Sequence, residues 1–172
     1  MNDSQDILNK RARELARPLP GKSHERDVLE IVEFSLGAES YGLELDHILE
    51  VYPLRELTSL PGLPRFVQGI INVRGQIVSV IDLKIFFEMT SEEVTAGTKV
   101  IILQSKDMEF GIMADAIIGV KAIVKKEIMP TLPTLTGIRA DFLKGVSRER
   151  LVILDGAKLL ADSHLIINEE VV

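Results

Sequence analysis

Cysteine and tryptophan are both absent from this chain, and the first absence removes the disulfide and the thiolate metal site as possibilities. Its three histidines, at 24, 47 and 164, stand apart, and none has the spacing of a His/Asp/Glu metal cluster. His24 falls in linker-like sequence, and all three read as solvated side chains, not ligands. Also missing are a P-loop, a dinucleotide-binding glycine pattern and a nucleophile elbow, so phosphate cradling and acyl chemistry lack their backbone signals. No apolar run approaches the ~20 residues that span a bilayer, and the opening MNDSQDILNKRARELARPLPGK has no secretory hydrophobic stretch. The expectation is a soluble cytoplasmic protein without metal, cofactor, catalytic residue or direct membrane insertion.

Aromatic residues make up only 5% of the chain. Phe34, Tyr41, Phe66, Phe87 and Phe110 lie in or beside apolar periodic runs, which suits core filling better than base stacking. Charge is uneven: residues 1–26 carry a formal +2, which leaves −8 for the remainder of a chain whose total is −6. An acidic body repels phosphate backbones, so nucleic acid is not an expected partner, although the basic head suits an acidic surface.

What is present is apolar patterning, with 46% hydrophobic residues over 172 positions, enough for a self-sufficient core. Ile7, Leu8, Ala12 and Leu15 recur at near-helical spacing until Pro18 and Pro20 interrupt them, which predicts an N-terminal amphipathic helix and a linker within residues 1–27. From Val28 the period becomes two. Val32, Phe34 and Leu36 followed by Tyr41, Leu43 and Leu45 predict a hairpin with one wet face. A second hairpin turns at Arg74 and Gly75, where glycine can supply the positive φ of a tight turn. A third runs from VIILQ to FGIMA, and a fourth from FLKGV to LVILD. DLKIFFE and DGAKLLA, each opening on an aspartate able to cap a helix, predict short helices leaving strands. The fold class is therefore mainly β, of sandwich or barrel type.

The chain also resembles itself. YGLELDHILEV at 41–51 and FGIMADAIIGV at 110–120 share Gly42/Gly111, Asp46/Asp115, Ile48/Ile117 and Val51/Val120, and each copy leads into a hairpin, an aspartate and a short helix. Duplication predicts two β-lobes, at about 28–95 and 96–155, packed on each other, with a C-terminal helix and tail over 155–172. A seam between lobes is a place for a groove. Asp46, Asp82, Asp115 and Asp155 read as caps and strand ends, not as acid/base pairs.

YGLELDHILEV, LPGLPRFVQGIINVRGQIVSVIDLKIFF, KVIILQSKDMEFGIMADAIIGV and LKGVSRERLVILDGAKLL together resemble the chemotaxis coupling family CheW, from Val28 to Ala161. Phe66 to Leu83, with its Asn-x-Arg-Gly turn and its strand ending in Asp-Leu, is the most specific part. Val73 and Ser79 depart from the residues usual there, Leu and Pro, and residues 1–26 lie outside the likeness. The resemblance implies two SH3-like five-stranded barrels and a non-enzymatic adaptor that joins the cytoplasmic tip of chemoreceptors to the regulatory domain of a CheA-type histidine kinase. It implies a partner-binding surface near Ile48, Glu50, Gly69 and Arg74, with Val51 as a second aliphatic anchor, Asn72 and Gly75 in the same turn, and Gly111 from the second lobe. Glu50 stands in the repeat column that Gly119 holds in the other copy, so the fold does not require its carboxylate, and Arg74 is expected within salt-bridge distance of it. Kinase docking is expected on the second lobe, near Ile117 and Ile118. Which receptor and kinase pathway is served stays open at this level.

Overall fold

A computed structural model describes residues 27–89, 97–130, 138–162 and 165. The expected N-terminal helix and most of the C-terminal tail lie outside the described residues. The strands are β1 (Val28–Leu36), β2 (Glu39–Glu44), β3 (Ile48–Pro53), β4 (Val67–Val73), β5 (Gln76–Ile81), β6 (Lys99–Gln104), β7 (Glu109–Ala114), β8 (Ala116–Val124), β9 (Leu143–Val146) and β10 (Val152–Leu154). Three short helices accompany them: α1 (Leu83–Phe86), α2 (Ile138–Asp141) and α3 (Gly156–Ala161). All four predicted hairpins form, as β1–β2, β4–β5, β6–β7 and β9–β10. The two predicted caps form as well: Asp82 Oδ1 accepts from the Lys84 amide at 2.9 Å, and Asp155 Oδ1 accepts from the Lys158 amide at 3.1 Å.

Two five-stranded sheets result, ordered β8-β1-β2-β10-β9 and β3-β6-β7-β5-β4. After β3 the chain bridges from Thr58 to Ile70 on β4, and after β8 it bridges from Met129 to Val146 on β9, which joins the two edges of each sheet into a barrel. We call them barrel one and barrel two in that order. Their membership differs from the lobes expected at 28–95 and 96–155. Barrel one takes β1–β2 from the first repeat and β8–β10 from the second; barrel two takes β6–β7 from the second and β3–β5 from the first. The copies have exchanged their leading hairpins. The physical reason is visible at the crossovers: the turn Leu45–His47 carries the chain from barrel one to barrel two, and Asp115 alone carries it back.

The repeat reappears in detail. The carbonyls of Phe66 and Phe142 accept the amides of Asp82 and Asp155, both at 2.7 Å. Gly69 and Gly145, at φ +148° and +157°, are the two places where the closing bridge crosses a barrel. A Cβ on either would lie 2.2 Å from a backbone oxygen, that of Thr58 or of Met129, so only glycine permits the closure.

The core has three compartments. Val100 and Ile102 face the lumen of barrel two with Val78 and Val80, while Leu29, Ile31, Ile123 and Ile153 fill barrel one. Between the barrels lies the largest compartment, where Phe34, Leu36, Tyr41 and Leu43 meet Ile101, Leu103, Phe110 and Ile112. Strands buried on both faces explain the unbroken runs VIIL and LVIL. They also correct the expected wet face of the first hairpin, because Gly42 and Glu44 on β2 are both buried. Glu44 is held there by an ion pair with Lys144 of β9.

Candidate functional site

Barrel closure brings β3 beside the β4–β5 turn and so assembles most of the residues expected at the partner surface. The turn has two central residues, Arg74 at φ +53° and Gly75 at φ +85°, the geometry of a tight type I′ hairpin. Asn72 Oδ1 accepts the Gly75 amide at 2.8 Å and fixes the turn. Arg74 Nη1 then donates to Glu50 Oε2 at 3.0 Å across the closure, as the sequence predicted. The Arg74 side chain is 78% exposed and that of Glu50 21%, so the pair adds little to stability, of order 0–1 kcal/mol, and chiefly orients two charges at the surface.

A bulge between Ile48 and Glu50 expels Leu49 from the ladder, leaving it 48% exposed, with Val51 at 38% on the same strand. Sequence reasoning passed over Leu49; the available signal was two adjacent aliphatic residues in a strand of otherwise alternating character. Ile48 turns inward and packs on the inter-barrel core. It is therefore not a free anchor. Gly69 and Gly111 are also interior: the first admits the closing bridge, and a Cβ on the second would fall 2.4 Å from Val100 Cγ1. Their place in the surface is indirect, through backbone geometry. Beside the turn opens a cleft of about 350 Å³ lined by Tyr52, Arg55, Glu56, Asn72 and the exposed Ile77, which the sequence did not single out.

The corresponding part of barrel one is β8. A bulge between Ile117 and Gly119 leaves Ile118 out of the ladder and 57% exposed, while Ile117 packs on the inter-barrel core. Ala116, Val120, Ala122 and Val124 are exposed on the same strand. Here the third strand is tied to its barrel's last turn by Lys121 and Glu149, with the charge order of Glu50 and Arg74 reversed. Where the barrels meet, a groove of about 710 Å³ is lined by Phe66, Phe86 and Phe142, with Arg65, Asp141 and Lys158 at its margin. The aromatic rings pack with centroids 5.0 and 5.4 Å apart.

The four aspartates hold separate structural posts: Asp82 and Asp155 cap helices, and Asp46 and Asp115 stand at the crossovers. Asp46 is exposed in the crossover turn. Asp115 does more than end a strand: it accepts the Gly37 amide at 2.6 Å and pairs with the buried Lys84 at 3.0 Å, tying α1 and the β1–β2 turn to the second crossover. Among the described residues no group of three His, Asp or Glu side chains could hold a metal, and no helix is long and apolar enough to cross a membrane.

Residues 30–164 match the CheW-like domain. This chain belongs to the CheW-like domain family. It is 29% identical over 143 residues to the chemotaxis protein CheW of Treponema pallidum, covering 79% of this chain and 84% of that one. The CheW of Klebsiella aerogenes is 29% identical over 145 residues, covering 83% and 87%. The crystal structure of the scaffolding protein TtCheW from Thermoanaerobacter tengcongensis superposes with a TM-score of 0.69 at 32% identity, over 79% of this chain and 94% of that one. CheW membership makes the chain a chemotaxis coupling scaffold and not an enzyme, in keeping with a surface built from a charged turn and aliphatic strands.

Proposed function

We propose that this CheW-family chain works in the cytoplasm and joins the cytoplasmic tip of a chemoreceptor to the regulatory domain of a CheA-type histidine kinase. One observation carries the reading: two equivalent strands, β3 and β8, each bulge and expose aliphatic side chains on different barrels, and each is tied to a turn by an exposed ion pair of opposite charge order, with the acid on β3 (Glu50–Arg74) and the base on β8 (Lys121–Glu149). A single scaffold thus offers two dissimilar contact faces. The face of barrel two, with Leu49, Glu50, Val51, Asn72 and Arg74, suits a receptor helix laid against aliphatic anchors and read by charge. The β8 face of barrel one, with Ile118, suits an apolar barrel-to-barrel contact with the kinase. Weak contacts suffice, because an array holds each partner at high effective concentration.

Binding of a receptor-tip fragment and of a kinase regulatory domain to the full chain tests this directly. Glu50→Lys is expected to weaken receptor binding about tenfold, roughly 1.4 kcal/mol, and to leave kinase binding unchanged. Ile118→Asp is expected to do the reverse. If both substitutions lower both affinities equally, or neither changes either, the two-face reading is wrong.

A further inference from the structure

Ile117 and Ile118 are neighbours of one residue type with opposite fates: the first packs on the inter-barrel core and the second is exposed. Side-chain chemistry cannot choose between them, so another feature must set the register in which β8 joins β1. On one side of the bulge Gly119 opposes Glu33; on the other, only Ile117 with Phe34 and Ala116 with Ser35 remain before the strand ends. A slip of one residue in so short a ladder exchanges the inward and outward isoleucines.

The two crossovers fix the strands that follow them by different means. In the first, the Leu45–His47 turn sets the start of β3 with its own backbone, since the Ile48 amide donates to the Leu45 carbonyl. The second is Asp115 alone, too short for such a turn, and its side chain takes over the task. Oδ2 accepts the Gly37 amide at 2.6 Å, Oδ1 accepts Lys84 Nζ at 3.0 Å, and the Asp115 amide donates to the Ser35 carbonyl at 2.9 Å. Lys84 is buried on α1, the third residue of Asp82-Leu83-Lys84; the other copy reads Asp155-Gly156-Ala157, so Ala157 offers no cation to Asp46, the counterpart of Asp115. The ion pair is confined to the crossover that lacks a turn. A buried pair adds little net stability over apolar residues of similar size, and its best attested use is to select one register among several. We infer that Lys84 is a positioning residue for the β8 contact face: from barrel two it holds Asp115, and through Asp115 the register that turns Ile118 outward and Ile117 inward. The consequence for binding rests on the kinase reading of that face; the register does not.

Because the chain has no cysteine, one introduced thiol reports the register. In full-length protein, Ile117→Cys is expected to be alkylated by iodoacetamide about fivefold faster when Lys84→Met is added, and Ile118→Cys about twofold slower, as the outer and inner positions interchange. Lys84→Met/Asp115→Asn, which strands no charge, is expected to give the same rates and serves should Lys84→Met alone fold poorly. Asp155→Ala, which loosens barrel one elsewhere, is the control and should leave both rates unchanged. An unchanged rate at 117 in both Lys84 variants overturns the proposal, and so does an acceleration that Asp155→Ala reproduces, since general loosening then accounts for it. In binding, the kinase regulatory domain is expected to hold Lys84→Met about threefold more weakly and a receptor-tip fragment to hold it equally well. Kinase affinity that falls with Ile118→Asp but not with Lys84→Met removes the positioning role. If Ile118→Asp itself leaves kinase binding intact, the kinase reading fails, and the labelling rates still decide the register.

Discussion

Gly69 and Gly145 perform one task in two barrels, and a third glycine provides a control for it. Gly119 has a similar backbone, φ +155°, but a Cβ there would meet nothing within 4 Å. Gly119→Ala should therefore cost only the backbone strain, about 1 kcal/mol. Gly69→Ala and Gly145→Ala add a collision with a backbone oxygen and should lose about 2–3 kcal/mol or more by urea denaturation. Lys84 and Asp115 make the second residue-scale case. Asp115→Ala strands a buried ammonium and should destabilise by about 2–3 kcal/mol, below the range of a fully buried pair because Asp115 is about a third exposed. Lys84→Met should cost less, and the double substitution less than the sum of the two. Residue identity was legible where local chemistry decides it: the Asp82 and Asp155 caps, the Asn72–Gly75 turn and the Glu50–Arg74 pair follow from neighbours in sequence or repeat. The half-burial of Ile48 and the burial of Gly69 and Gly111 were not legible, because segments distant along the chain set them.

Hairpins are short-range objects, and turn residues between apolar runs announced all four of them. Helices of four to six residues were legible for the same reason, since an aspartate following an apolar strand both ends the ladder and starts the turn. Their dependence on that aspartate can be measured. Asp155→Ala should cost about 1 kcal/mol, the usual value of a cap, while Asp82→Ala should cost more because Asp82 is only 3% exposed and its loss leaves the Lys84 amide unsatisfied in the interior. Thermal melts of the two variants give that order. The wet face expected for β1–β2 failed at this scale because alternation marks which residues share a face but not what covers the other face. Here the interior of barrel one does, with Ile31, Leu151 and Ile153 against Gly42.

Pairing between the copies lies beyond what periodicity can reveal. The repeat was visible in the sequence, and so were two lobes, but each leading hairpin could pair within its own copy or with the other at equal cost in local pattern. The structure takes the second course, and this makes the barrels interdependent. Residues 1–90 alone hold two strands of barrel one and three of barrel two, so this fragment should give no cooperative unfolding transition, and neither should residues 97–172. Mixed together, the two fragments should regain β-sheet circular dichroism and a cooperative melt. A cooperative transition in either fragment alone would contradict the exchange.

Reciprocal sharing of strands also governs how the molecule bears load. Were each barrel made from one half of the chain, a single tether would join them and a pull on one would swing it about that joint. Stitched together in both directions, they have no such pivot. A tug applied at the Glu50–Arg74 side reaches β8 as a displacement of the entire body, as a rigid washer passes motion from bolt to plate.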